Sequence, residues 1–221
     1  MDETSKTRGI WTSFETSILS GKGIDVGCGP DPICPDARRF DVEDGDANDI
    51  LNYVTETFDF VYSSHCLEHM YDPRKALQGW WELVKPGGHL FLIVPDEDLY
   101  EQGVFPSRFN PDHKATFTIA KARSWSPVSI NVLDLVAELP GSQLVSLILQ
   151  DQAYDRSLSY CGNVRPSRVT RLAIKTYRKL KRFTPVRVQA LEVVEARFTP
   201  VDQTMLPDVL AQIQCIVRKL P

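Results

Sequence analysis

Short apolar runs alternate with polar, turn-rich joints along this chain. Residues 22–27, "ARRFDVE" (37–43), "FDFVYSSH" (58–65), "HLFLIVP" (89–95), "SQLVSLILQDQ" (142–152) and "AQIQCIVRKL" (211–220) read as strands. Alternation in the last run puts Ile213, Cys215 and Val217 on one face. Helical spacing appears between the third and fourth runs. Asp72 and Pro73 fit an N-cap and first helical position, and Ala76, Leu77, Trp80, Trp81 and Val84 recur on one side. "KPGG" at 85–88 stops that helix and turns the chain. Residues 1–20 predict a loose start and a short helix, with Trp11, Phe14 and Ile18 available to pack. Residues 126–141 fit a helix with Gly141 near its end, 118–125 a short helix or strand, and 96–116 a polar surface loop. This order predicts a parallel α/β sheet with covering helices.

The pattern changes over residues 165–187. That stretch holds nine basic residues (Arg165, Arg168, Arg171, Lys175, Arg178, Lys179, Lys181, Arg182 and Arg187) and no acidic one. Val169, Leu172, Ala173, Tyr177 and Leu180 fall near one helical face. Such a segment serves as a solvated face, as a contact for an anionic membrane or glycolipid, or as a contact for nucleic-acid phosphates. Nucleic acid comes last, because the formal net charge of the chain is -4. The core sheet resumes after this insertion, which spans about 155–208.

The 221 residues suffice for one sizeable core. Cys28, Cys34, Cys66, Cys161 and Cys215 are odd in number and scattered, which gives neither a disulfide framework nor the close pairs of a structural zinc site. "MDETSKTRGIW" has no signal-peptide pattern, and no apolar run approaches the ~20 residues of a spanning helix. The expectation is a cytoplasmic protein.

Chemistry concentrates at the ends of the strands, where ligands bind in open α/β sheets. In "GKGIDVGCGPDP" (21–32), Gly27 and Gly29 let the main chain turn and be approached closely. Asp25 with Gly27, Cys28 and Gly29 forms one polar cluster; Asp41 with Glu43 forms a second; Gly45, Asp46 and Ala47 form a third; His65 and "CLEH" form a fourth. Any one acid alone reads as a strand-end turn carboxylate. Together they suit a nucleoside, with carboxylates for ribose hydroxyls and an exocyclic amine. No Lys or Arg lies in the turn, there is no GxxxxGK[ST], and Pro32 stands where GxGxxG needs its third glycine. No metal triad or aromatic cage is legible, and no metal is expected.

"GIDVGCG", "FDVEDGDA", "FDFVYSSHCLEHMYDP" and "ALQGWWELVKPGGHLFLIVP" together resemble class I S-adenosylmethionine-dependent methyltransferases, closest to the small bacterial methyltransferase type 11. The resemblance covers residues 22–95, weakens over 96–155, and returns in the final strand. It implies a Rossmann-like α/β fold: a mostly parallel seven-stranded sheet with an antiparallel final strand and helices on both faces. It implies a single domain over 1–221 that carries the basic helical insertion. It implies S-adenosyl-L-methionine as cofactor, with Asp25, Gly27, Cys28 and Gly29 at the methionine part. Asp41 matches the ribose acid, Asp46 and Ala47 the adenine contacts, and Ser63, Ser64, His65 and Leu67 flank cofactor and acceptor. One departure stands out: only eleven residues, three of them proline, separate Gly29 from Asp41, where the family usually has a full helix. Glu43 is the substitute ribose acid.

The reaction so implied is in-line displacement at a sulfonium methyl, helped by alignment and a base. His65, His69 and His113 are candidate bases, with His65 and His113 taken as the catalytic pair and His69 open to a capping or packing role in the turn before "YDP". His65, Tyr100, Glu101, Arg108, Asp112 and His113 are the candidate substrate contacts, for a polar small molecule such as a sugar or a glycan or glycolipid intermediate. Glu101 and Arg108 could equally form a loop salt bridge, and Asp112 could orient His113. Two other classes stay open. One is a non-catalytic cofactor-binding or docking protein that works through the basic insertion. The other is a nicotinamide oxidoreductase.

Overall fold

The computed structural model describes residues 3–158, 160, 166–183 and 188–221; Cys161, Arg165 and Arg187 lie outside the described residues. The strands are β1 (Gly23–Val26), β2 (Arg38–Phe40), β3 (Phe58–Ser64), β4 (Val84–Pro95), β5 (Thr116–Thr118), β6 (Ser129–Asn131), β7 (Ser142–Gln150) and β8 (Gln212–Lys219). The helices are α1 (Glu3–Arg8), α2 (Ser13–Ile18), α3 (Pro73–Glu82), α4 (Val132–Ala137), α5 (Arg168–Lys181) and α6 (Gln189–Ala196). The main sheet has the order β2-β1-β3-β4-β8-β7, and β5 pairs with β6 in a separate ribbon. β1 to β4 pair in parallel, and β8 runs antiparallel to both β4 and β7. This is the expected Rossmann-like arrangement with an antiparallel final strand.

The sheet has six strands among the described residues, not seven. The stretch between β2 and β3 is too short for a crossover helix plus another strand. It winds instead into a 3-10 turn, Ala47–Asn52, capped by Asp46. The helix missing between β1 and β2 is replaced by irregular chain whose Ile33 and Ala37 pack onto the sheet. Asp25 holds that chain in place by accepting the Ile33 N–H at 2.6 Å.

The two faces of the sheet carry separate apolar layers. Leu77, Trp80 and Trp81 of α3, with Val132, Leu135 and Val136 of α4, cover Val26, Val61, Leu90, Leu92 and Ile213. Burying each such side chain stabilises by roughly 1.5–3 kcal/mol. α3 begins where expected: Asp72 accepts from the Arg74 and Lys75 N–H groups at 3.1 Å, with Pro73 next. On the other face, Trp11 packs 5.2 Å from Phe91 and 6.1 Å from Tyr62, and Ile18 joins them. β8 is therefore covered on both sides. Ile213, Cys215 and Val217 share one face as their alternation predicts, and Gln212, Gln214 and Ile216 are buried on the other.

Two local expectations need correction. "KPGG" lies within β4 as an irregular stretch: Phe58 pairs with Val84, Phe60 pairs with His89, and Gly87 takes a φ of 82°. A bulge absorbs the extra residues without ending the strand. Residues 96–116 are not a surface loop. Asp96 caps a π-helical turn, Glu97–Glu101, and Glu97, Leu99, Glu101, Gln102, His113 and Ala115 are buried. Glu97 tolerates burial because the Thr116 and Ser124 hydroxyls and the Lys121 ammonium all donate to it. Among the described residues no helix is long and apolar enough to cross a membrane.

Candidate functional site

A cleft of about 490 Å³ opens at the carboxyl ends of β1 and β2. Gly27, Asp41, Gly45, Asp46 and Ala47 line it, with Cys66 from the fourth strand-end cluster, as do Phe40, Val42, Tyr53 and Met70, which sequence reasoning missed. Its walls are mostly apolar, with two carboxylates at the rim. The Gly27 N–H donates to the Phe40 carbonyl at 2.8 Å, and Gly27 turns with φ 74°. The Asp41 carboxylate accepts from the Gly29 N–H and, at 2.7 Å, from the Val42 N–H. It thereby draws the glycine turn onto the end of β2. Asp46 accepts from the Asn48 backbone and side chain at 2.8 and 2.7 Å, which holds its carboxyl below the usual range.

The other expected cofactor residues support this cleft from behind. Asp25 is buried, and desolvation pushes its carboxyl up to about 7 against the Ile33 hydrogen bond, with Asp31 and Asp41 adding repulsion. Ser63 is buried and donates to the Val26 carbonyl at 2.9 Å, while Ser64 is buried beside it. Cys28 is buried, and Arg39 donates to its Sγ at 3.3 Å and to the Gly29 carbonyl. A cation thus does brace the glycine turn. It comes from β2, which pairs with β1, so the turn's own sequence could not reveal it.

A second, smaller cavity of about 190 Å³ lies across the His65–Cys66 step from the first. His65, Glu68, His69, Tyr100, Asn110, His113, Thr204, Ala211 and Gln212 line it. Of the expected substrate contacts it gathers His65, Tyr100 and His113. Arg108 is exposed and lies over the Tyr160 ring at 5.4 Å, and Asp112 is also exposed. The polar partners are not those a local reading offers. Glu101 pairs with His113 rather than Arg108, its Oε1 lying 2.6 Å from Nδ1. Asp112 pairs with His69, Oδ2 to Nδ1 at 2.9 Å, and with Lys114. Tyr100 lies against the Phe109 and His113 rings.

His65 has a φ of 51°, a conformation a non-glycine residue holds only where its surroundings enforce it. Its tautomer follows from a chain of amides. The Trp11 indole N–H can only donate, so the Gln214 atom that receives it at 3.1 Å is Oε1. Gln150 Nε2 donates to that same oxygen at 2.9 Å, which leaves Gln150 Oε1 to accept from Gln212 Nε2 at 2.7 Å. Gln212 therefore turns its Oε1 to His65, whose Nε2 must carry the proton donated across 2.9 Å. Nδ1 of His65 faces the Glu68 carboxylate, 3.4 Å from Oε1.

The cleft fits S-adenosylmethionine in its chemistry: apolar walls for a purine, carboxylates for hydroxyls and an amine, and a main-chain turn open to close approach. A methyltransferase-domain family profile matches residues 8–126. The ubiquinone biosynthesis O-methyltransferase of Pectobacterium carotovorum subsp. carotovorum (strain PC1) is 38% identical over 81 residues, 32% of this chain and 31% of that protein. The protein of the same name from Cronobacter sakazakii (strain ATCC BAA-894) matches to the same extent. The similarity thus spans under a third of these relatives' length. A SAM-dependent methyltransferase structure from Archaeoglobus fulgidus superimposes with a TM-score of 0.50 at 14% identity, covering 99% of this chain and 95% of that one, a likeness of fold. The profile takes in more than half of the sequence, and the chain belongs to the methyltransferase-domain family, the class I S-adenosylmethionine-dependent methyltransferases.

Proposed function

We propose that this protein transfers a methyl group from S-adenosylmethionine to a small polar acceptor. The carrying observation is the pairing of two unlike clefts on either side of His65–Cys66, one apolar with carboxylates at its rim, the other lined by imidazoles and a carboxylate. When bound, the cofactor supplies a methyl on a positively charged sulfur, a carbon already activated for in-line attack. The chain's task is to hold and align. Asp41 is placed for the ribose hydroxyls. Asp46 and Ala47 take the adenine, with Phe40 and Tyr53 lining the same cleft. Gly27 to Gly29 take the methionine part, with Asp25, Ser63 and Ser64 fixing the strand ends beneath. His65 is the residue set to take an acceptor proton, at Nδ1, because Gln212 occupies Nε2. Tyr100, Asn110 and Thr204 supply polar groups for the acceptor, which we take to be a hydroxyl-bearing molecule such as a sugar or glycolipid intermediate.

One further surface bears on the acceptor. Arg171, Lys175, Lys179 and Arg182 border a groove of about 570 Å³ beside Phe183 and Phe198. Arg178 also lines it but is paired with Glu195 of α6, and Lys181 is paired with Glu192. We propose this groove as the contact for an anionic glycolipid headgroup on the cytoplasmic side of a membrane. Cosedimentation with anionic but not zwitterionic vesicles is the expected result, and equal partition sinks the idea.

Calorimetric titration with S-adenosylmethionine, S-adenosylhomocysteine and NAD tests the main reading. Micromolar binding of both sulfur nucleosides without NAD binding is expected. Binding of NAD alone would favour a nicotinamide oxidoreductase, and binding without turnover on any acceptor would favour a docking protein.

A further inference from the structure

The floor of the smaller cavity contains a group whose chemistry methyl transfer does not call for. Glu68 is completely buried, and neither of its carboxylate oxygens has a hydrogen-bond partner. A buried carboxylate is costly unless positive charge lies close to it, and His65 Nδ1, 3.4 Å from Oε1, is placed to carry some. Its neighbours are imidazoles. His113 Nε2 is 3.9 Å from Glu68 Oε1, and the His69 and His113 rings meet edge to face with centroids 5.0 Å apart. One ligand atom from each of Glu68, His69 and His113 can be chosen so that all lie within 4.8 Å of one another.

The outer partners of these rings matter as much as the rings. His113 commits Nδ1 to Glu101, itself buried, and His69 commits Nδ1 to Asp112. In both rings the proton belongs on Nδ1, next to a carboxylate, which leaves the lone pair on Nε2. A carboxylate behind each imidazole is the arrangement that orients metal-bound histidines and raises their basicity. The backbone adds a brace: the Lys114 and Ala115 N–H groups donate to the Glu68 carbonyl, fastening the segment after His113 to the turn that carries Glu68 and His69. His65 lies beside the same group, its Nδ1 3.4 Å from Glu68 Oε1, so that imidazoles from three positions gather around one carboxylate.

We propose that Glu68, His69 and His113 bind a divalent transition-metal cation, with the remaining coordination positions open to the cavity. Two imidazoles and one carboxylate form a borderline donor set that suits Zn²⁺, Mn²⁺, Fe²⁺ or Co²⁺ better than the all-oxygen preference of Mg²⁺ or Ca²⁺. Bond lengths of about 2.0–2.2 Å put ligand atoms roughly 3–3.5 Å apart, so the three side chains draw in by about an ångström around the ion. On the methyltransferase reading given above, an acceptor hydroxyl that replaces a metal-bound water would be oriented and made more acidic. The metal site itself stands on the side chains alone.

The test uses the untagged full-length chain, stripped with a chelator and titrated with Co²⁺. One equivalent should bind with visible absorption bands, and Zn²⁺ should displace it while excess Mg²⁺ does not. His69→Ala is the deciding variant because its ring is partly exposed and its loss leaves the core intact. It should weaken Co²⁺ binding by tenfold or more, and Glu68→Gln should do the same. Absence of stoichiometric binding by the wild type, or wild-type affinity in a folded His69→Ala, overturns the proposal. S-adenosylhomocysteine is titrated into the same samples. Binding of that nucleoside without Co²⁺ binding refutes the metal site and leaves the methyltransferase reading standing, whereas the opposite result refutes the methyltransferase reading and keeps the metal.

Discussion

Replacing Asp25 by Asn should stabilise the cofactor-free protein, and more so as pH rises. The carboxyl moves from 3.8 to about 7 on folding, chiefly because burial removes it from water. Its pKa is raised in the folded state, so the contribution is most favourable below the unfolded value and is lost as pH climbs toward the folded one. At about 1.36 kcal/mol per pH unit, the ionisable side chain costs about 1.5 kcal/mol at pH 5 and about 4 kcal/mol at pH 8, relative to a neutral group of the same shape. Asn keeps an oxygen to accept the Ile33 N–H, so the turn between β1 and β2 retains its anchor. The gain of Asp25→Asn over wild type should therefore grow by roughly 2.5 kcal/mol between pH 5 and pH 8. That corresponds to about 5–10 °C in Tm for a chain of this size. Thermal unfolding of both proteins across that interval reads the difference directly. A constant offset, or a gain that shrinks with pH, would refute the assignment of a raised Asp25.

Other perturbations separate packing from chemistry. Gly27→Ala should destabilise more than Gly29→Ala. Both have positive φ, but a Cβ on Gly27 would sit 2.5 Å from Cys66 Sγ, while one on Gly29 meets nothing within 4 Å; equal unfolding midpoints would contradict this. Asp41→Ala should lower S-adenosylmethionine affinity tenfold or more by calorimetry and cost about 1 kcal/mol in stability through the freed Gly29 N–H. Unchanged affinity in the folded variant removes the ribose role. Gln150→Leu should cost about 1–3 kcal/mol in urea unfolding, since Gln212 loses an acceptor inside the core. His65→Ala should reduce turnover more than cofactor affinity, and undiminished turnover removes it as the proton acceptor.

The sequence by itself determined what depends on neighbours along the chain. Strand alternation, the Asp72–Pro73 start of α3 and the glycine turn after β1 are local, because backbone conformation and hydrogen bonding there involve residues a few positions apart. The acids at successive strand ends were legible for the same reason: a parallel sheet places every such end on one side, and Asp41, Asp46 and Ala47 meet Gly27 in one cleft. Tertiary structure alone decided the partners. His113 meets Glu101 and approaches Glu68, His69 meets Asp112, and His65 is oriented by Gln212 from the far end of the chain. Nothing in composition or spacing marks Gln150, Gln212 and Gln214 as more than polar strand residues. They become a relay because β8 inserts between β4 and β7 under the N-terminal helices, where buried amides must find one another. Burial likewise turned the polar stretch after β4 from an apparent loop into the wall of a cavity: its carboxylates are compatible with the core only through partners that folding brings from elsewhere in the sequence.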